Sequence, residues 1–455
     1  MNRGVYALIH IIKTIYNRIS QHGEIRPLVE NVTWLGFDRV VRLGINLFIV
    51  GWIARYLGRT QYGLLNYAMS LTVLIGALAS FGTNNIIIRE IVNHPEKKNE
   101  ILGSSFFIRQ FGGFLVVLIS FIAVKIINSD DSLTQLLVMI SAVTYLFASF
   151  DVIDLYFQSQ IKSKYAVIAN NAVFLMLSAV RILLIFMKAP LVAFAIAATV
   201  EVAVAQIGLA IMYRHTGHSI FKWKWNFAIA REIMRDSWPL MLSTVSMLLY
   251  LRIGQVMLGT MASYTELGDY SAAVKISEVW YFVPFVVSTT IYPKLIQFRK
   301  ISKEVYYGRL QEFFTIMVLI SYAAIIPTFF LNRIIIKIIF GPQYVNAGII
   351  LSIHIWAGLF VAMGTARSSW CNIENYTRGT FYATLTGAVL NVALNIPLIR
   401  MYGGIGAAAA TMIARIAAGY IATFFISREI FMMQTKSLFL DGLFRMIKHD
   451  LLGMK

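Results

Sequence analysis

Apolar stretches of about 20 residues recur along nearly the whole chain, each separated from the next by a short polar or basic segment. A helix of that length just crosses the hydrocarbon of a bilayer, and there the backbone has to satisfy its own hydrogen bonds, which favours helices. Twelve spans are expected. Six fall near 33–54, 64–88, 104–127, 134–157, 166–187 and 191–213, and six near 238–261, 270–292, 310–331, 348–370, 377–399 and 404–427. Hydrophobic residues make up 58% of the 455, charged residues only 14%, and mean hydropathy is +0.69. Soluble domains carry about a quarter charged residues. The expected class is therefore an all-α polytopic membrane protein with about 12 transmembrane helices.

An even number of spans puts both termini on one side, and the basic residues say which. The segments on the terminal side carry 25 Lys and Arg and the opposite loops 7, so both termini are expected in the cytoplasm. The net charge of +18 then follows from topology and attraction to anionic lipid, with no nucleic acid as partner. Five segments are expected. These are an amphipathic surface stretch over 1–29, a first six-helix half over 30–213, a cytoplasmic linker over 214–237, a second half over 238–427 and a basic cytoplasmic tail over 428–455. The N-terminus shows no short apolar core with a small-residue cleavage site. A faint repeat at a shift of about 205 residues (Trp34 and Trp238, Gly63 and Gly268) suits two parallel halves.

Charges inside the spans are the candidate functional residues. A cation at the bilayer centre costs roughly 2.5–3.5 kcal/mol on insertion scales, and a guanidinium cannot escape by losing its proton. In span one, Asp38, Arg39, Arg42 and Asn46 form one polar stripe. Two readings of it stand: a cavity wall presenting guanidinium groups to phosphate, or a local Asp–Arg pair locking the helix to a neighbour. The first is preferred because Asp38 neutralises only one of two arginines. Arg252 and Arg415 sit mid-span with no acid nearby in sequence. Arg181 lies nearer an outer span end, and Arg109 and Arg367 lie near cytoplasmic ends, where snorkelling is the expectation and a cavity rim the alternative. Asp151, Asp154 and Glu201 are candidates for ion coupling or for pairing with these arginines, and Lys275 with Glu278 for a mutual pair or a gate. The spans hold 8 basic and 5 acidic residues, a cationic interior.

Other chemistry is thin. Cys371 is the single cysteine, and His215 and His218 have no further ligands around them, so no disulfide, metal or cofactor is expected. Pro284, Pro327 and Pro397 interrupt spans, Pro239 opens span seven, and Gly403-Gly404-Ile405-Gly406 reads as a helix-packing surface. No extracytoplasmic loop exceeds about 17 residues, leaving little material for a catalytic domain of the kind a membrane polysaccharide polymerase carries.

Asn31-Val-Thr-Trp34, Ile53-Ala-Arg-Tyr-Leu-Gly58, Tyr62-Gly63, Asn66-Tyr67-Ala68 and Ile88-Arg89-Glu90 together resemble a known signature. It is the N-terminal signature of bacterial polysaccharide-biosynthesis transporters, the O-antigen and repeat-unit flippases of the multidrug/oligosaccharidyl-lipid/polysaccharide exporter superfamily. The resemblance implies two six-helix lobes around a central cationic cavity, alternating access and ion-coupled exchange in the bacterial inner membrane. The implied cargo is an undecaprenyl-pyrophosphate-linked oligosaccharide, a surface polysaccharide unit. The implied partners are membrane lipids, a polysaccharide polymerase and a chain-length regulator. On this reading the chain is a transporter and not an enzyme; Arg39, Arg42, Arg109, Arg181, Arg252, Arg367 and Arg415 would meet the pyrophosphate, and Tyr67 and Trp280 would stack on sugars. The alternatives are a multidrug exporter of the same superfamily, whose usual cationic cargo suits arginines poorly, a lipid II flippase, whose relatives commonly carry fourteen helices, and a membrane polymerase.

Overall fold

The computed structural model describes the backbone of residues 26–440 and, from Arg42 onward, their side chains. The expected surface segment within 1–29, the side chains of Asp38 and Arg39, and the tail beyond 440 lie outside the described residues. Every described element is helical. Nine helical stretches with described side chains are long and apolar enough to cross a membrane.

The chain starts with α1 (Arg26–Gly76), which bends at Gly58, where φ of 74° leaves the helical region. Then come α2 (Asn84–Asn93), α3 (Lys98–Ile127), α4 (Ser132–Phe147), α5 (Val152–Ser159), α6 (Lys164–Phe186) and α7 (Leu191–His215). The later elements are α8 (Phe227–Met261), α9 (Tyr264–Val279), α10 (Phe282–Ile301), α11 (Lys303–Ile339), α12 (Val345–His354), α13 (Ala357–Ile373) and α14 (Thr377–Ile416). After α14 a five-residue π-helical turn (Ala417–Ile421) leads into α15 (Ala422–Ile426), and α16 (Arg428–Leu438) follows. Serine side chains cap three of these helices: Ser263 accepts from the Glu266 amide, Ser302 from Val305 and Ser427 from Ile430.

Where the helices break, the structure departs from the simplest reading of the hydrophobic pattern. Expected span two is not continuous, because α1 ends at Gly76 and a turn through Phe81 (φ 47°) and Gly82 (φ 69°) intervenes before α2. Gly82 sits so close to the Met241 backbone that no Cβ fits. Spans eight and ten are likewise each two helices, divided at Trp280–Tyr281 and at Ile355–Trp356. Pro284 therefore stands in the first turn of α10, where its missing N–H costs little. Helix α8 begins at Phe227, inside the 214–237 segment, which leaves Pro239 within a helix rather than at its start.

The bend of α14 at Gly403 (φ 53°) is held by a side chain. The Gly404 amide donates to the Glu266 carboxylate at 2.8 Å, and a Cβ on Gly403 would strike that same carboxylate.

The helices gather into two compact units. The first holds the described residues up to Asn46 with Leu78–Ile122 and Met139–Met241; its core is built from Ile87, Ile91, Leu102, Val152, Phe157, Leu209 and Tyr213. The second holds Leu47–Ala77, Ala123–Val138 and the chain from Leu242 onward. Its core includes Leu295, Tyr306, Phe313, Phe314, Met317 and Cys371.

Candidate functional site

In the second unit, α8, α9 and α14 bring an unusual set of groups together. Arg252 on α8 reaches Glu278 on α9, with Nη2 to Oε2 at 3.4 Å, and donates to Gln255 Oε1 at 3.3 Å. Gln255 is buried, and the same oxygen accepts from Ser70 Oγ at 2.7 Å. On α14, the Arg415 guanidinium lies 4.0 Å from the centre of the Tyr250 ring and 5.8 Å from that of Tyr281. Tyr270 shares a hydrogen bond of 3.2 Å with Thr411, one turn before Arg415. Beside Tyr270, the buried His354 ring sits edge-on at 6.0 Å, its Nδ1 3.0 Å from Ser277 Oγ.

The charge balance of this cluster is uneven. Arg367 on α13 is buried and donates from Nη1 to the Ala418 carbonyl at 2.6 Å, within the π turn. Its Nε has no hydrogen-bond partner, and neither has the Nε of Arg415. Among the described residues, neither guanidinium meets a carboxylate within ion-pair distance; Glu278 faces Arg252. Aromatic faces offset part of the cost of a buried cation, about 2 kcal/mol when desolvated, but leave its charge in place. The cluster presents three guanidinium groups and one carboxylate, and the buried hydroxyls of Tyr250 and Tyr281 make no hydrogen bond of normal geometry. Such an arrangement favours an incoming anion with several acceptor oxygens.

In the first unit, Arg109 and Arg181 have polar or acidic side-chain partners instead. Arg181 on α6 pairs with Glu201 on α7 at 2.5 Å, so it does not snorkel outward. Arg109 on α3 is buried, bonding Thr83 Oγ1 at 3.3 Å and Asn84 Oδ1. It thereby satisfies polar groups at the helix break between α1 and α2, and Asp151 attracts it. Asp151 in turn accepts from Gln206 Nε2 at 2.7 Å. Arg42 lies over the Phe174 ring at 5.2 Å, and Asp154 accepts from Gln158 at 3.1 Å.

The snorkelling expected of Arg109 and Arg367 is thus corrected, since both are buried among helices. The helix of Arg109 begins at Lys98, before the apolar stretch does, which sets Arg109 deeper than hydrophobicity alone suggests; Arg367 lies near the end of α13 and is buried by the neighbouring π turn. Glu278 faces Arg252 across helices, and Lys275 lies half-buried on the same helix as Glu278. Sequence reasoning missed the aromatic cradle of Tyr250, Tyr270 and Tyr281, and also Asn391 and Asn395, whose one-turn spacing in an apolar span was a readable signal. It also missed the Arg59–Asp269 pair, in which a nearly inaccessible aspartate accepts from Arg59 Nε at 2.9 Å. Among the described residues, no group of His, Cys, Asp and Glu could hold a metal ion.

Solved structures with a similar fold include membrane transporters. The lipid II flippase MurJ in an inward closed conformation matches with a TM-score of 0.69 over 92% of this chain and 93% of that one, at 17% identity. An inward-facing multidrug resistance MATE family transporter of the MOP superfamily also scores 0.69, over 90% of this chain and 99% of that one, at 14% identity. The probable low-salt glycan biosynthesis flippase Agl15 of Haloferax volcanii is 22% identical over 193 residues, 42% of this chain and 40% of that protein. The chain spans about half or less of the length of the curated relatives it matches. The protein is thus an all-α polytopic membrane protein with the fold of MurJ and the MATE transporters. The profile of the family described as "Polysaccharide biosynthesis protein" matches residues 28–299, more than half of the chain, and the chain belongs to that family.

Proposed function

We propose that this protein is a flippase that carries an oligosaccharide linked through pyrophosphate to undecaprenol across the bacterial inner membrane, delivering repeat units for O-antigen or a similar surface polysaccharide. The reading rests on family membership, and one structural observation carries its chemistry: three guanidinium groups set against one carboxylate around Arg252, Arg367 and Arg415. A pyrophosphate brings multiple acceptor oxygens and negative charge, matching those donors. Transport would proceed by alternating access with ion coupling, with both termini in the cytoplasm. Glu278, held by Arg252, is then the carboxylate best placed to exchange its partner when the anion binds. Asp38, Asp151, Asp154 and Lys275 are further candidates for coupling or gating, and Arg39 and Arg42 for the rest of the substrate path; Arg109 and the Arg181–Glu201 pair, engaged by neighbouring side chains, are assigned to holding helices together. A polymerase and a chain-length regulator would act on the delivered product.

The cationic cargo usual for a multidrug exporter of the resembled superfamily would be repelled by the guanidinium groups of Arg367 and Arg415. The test is complementation of a strain lacking its repeat-unit flippase, scoring surface glycan and membrane level together. The Arg252→Ala and Arg415→Ala variants are expected to reach the membrane at normal level without restoring glycan. Full restoration by both variants overturns the proposal.

A further inference from the structure

A second basic site lies at the link between α10 and α11. A cavity of about 630 Å³ opens there, inside the size range of ligand pockets, and Arg299, Lys300, Lys303, Tyr306, Tyr307 and Glu374 contribute to its wall. Arg299 is paired with Glu374 through two parallel contacts of 2.9 Å each, so this pair adds no net charge to the pocket. Lys300 and Lys303 meet no carboxylate within ion-pair distance among the described residues, and Lys303 Nζ stands 5.5 Å from the centre of the Tyr307 ring. Tyr306 is 1% exposed, and its hydroxyl makes no hydrogen bond of normal geometry although Glu374 is close by. The pocket wall therefore holds two ammonium groups without a carboxylate partner and a buried hydroxyl that makes no hydrogen bond of normal geometry.

Two exposed lysines alone would be an ordinary solvated link. The surroundings argue for more. Ile301 and Val305 are exposed directly beside them, 67% and 39%, and the helices on either side are long enough to cross a bilayer. Cations interleaved with bare aliphatic side chains at the end of a membrane helix match the depth where headgroup meets acyl chain. We infer that this pocket binds the phosphate of an anionic membrane phospholipid, with Lys300 and Lys303 holding the phosphodiester, Tyr306 donating to one of its oxygens, and Ile301 and Val305 lying along the acyl chains. The site is separate from the proposed cargo cluster, and its test reads binding alone, so it stands or falls independently of what the protein transports.

Native mass spectrometry of the full chain in detergent tests this with dioleoyl phosphatidylglycerol, dioleoyl phosphatidylcholine and sodium phosphate as probes. Retained phosphatidylglycerol adducts are expected to exceed phosphatidylcholine adducts. They should be about tenfold weaker in Lys300→Ala/Lys303→Ala, near wild type in Lys300→Arg/Lys303→Arg, and intermediate in Tyr306→Phe. Unchanged phosphatidylglycerol retention in the double alanine variant overturns the inference, as does equal retention of phosphatidylcholine. Displacement of phosphatidylglycerol by equimolar sodium phosphate would assign the pocket to free phosphate and overturn the lipid assignment.

Discussion

Two arginines enclosed by helices in the first unit and two in the second are held in different ways. In the first, Arg181 has Glu201, and Arg109 has Thr83, Asn84 and the attraction of Asp151. In the second, Arg367 rests on a backbone carbonyl and Arg415 on aromatic rings, with no carboxylate against either among the described residues. Removing one partner of a buried pair leaves a charge in low dielectric, at roughly 3–5 kcal/mol. A matched pair is thus compatible with a purely architectural role. An unmatched cation is a standing cost, and a chain bears such a cost most readily where a ligand will supply the missing charge. The comparison sorts the candidate arginines into those that hold the protein together and those that wait for an anion.

The largest effect that would break this contrast is on transport. Arg415→Ala should reduce surface glycan at least tenfold in the complemented null strain, whereas the paired replacement Arg181→Leu/Glu201→Leu should leave it near normal. The reverse result would place the function in the first unit. Next comes stability. Glu201→Ala strands Arg181 and should lower the yield of folded, monodisperse protein and its melting temperature, consistent with a loss of about 3 kcal/mol, while the double leucine variant recovers most of it. A smaller effect separates charge from shape at Arg415. Lysine keeps the charge but stacks less well on Tyr250, so Arg415→Lys should retain partial glycan export, roughly a tenth to a half of normal.

The smallest expected effect concerns a histidine at the edge of the first unit. His218 Nδ1 is 3.2 Å from Lys98 Nζ and its Nε2 is 2.7 Å from the Tyr156 hydroxyl, a geometry that suits the neutral ring. Burial, together with Lys98, Lys162 and Lys222, holds its pKa below the usual 6.5. The unfolded chain therefore binds this proton first, and the contribution of His218 is complete above about pH 6.5 and declines as pH falls below it. Melting temperature measured between about pH 7.5 and 5.5 should drop less in His218→Gln than in the parent, and an equal drop in both would remove His218 from the balance.

How much of this was legible beforehand differs by kind of feature. A chain of apolar helices was legible because hydrophobicity and length are local quantities, and Glu201 was legible as a candidate partner for one of the intramembrane arginines, though not for Arg181 in particular. The helix breaks at Gly76–Thr83 and Trp280–Tyr281 were not, since both sequences stay apolar through the break and the interruption is set by packing against Met241 and by local turn geometry. Tyr250 lies 165 residues before Arg415, and a tyrosine in an apolar span carries no mark of the cation it will face. The burial of Arg109 and Arg367 was misread because nearness to the end of an apolar run says nothing of which neighbouring helices cover a side chain.

The π turn at Ala417–Ile421 has a consequence of its own. Its carbonyls are claimed from two sides, Ala418 by Arg367 and Gly419 by the Gln434 amide at 3.2 Å, and Gly419 packs so closely on the Phe360 carbonyl that no side chain fits. A π turn is an α-helix with one residue more than its hydrogen bonding requires. Deleting a single residue there would let the ordinary pattern close and would turn everything downstream by about 100°. Arg415 would keep its place on Tyr250 while Thr423 and the start of α16 faced new neighbours. The register of the helices over Ala422–Ile426 and Arg428–Leu438 thus hangs on one surplus residue, held in place by an arginine and a glutamine.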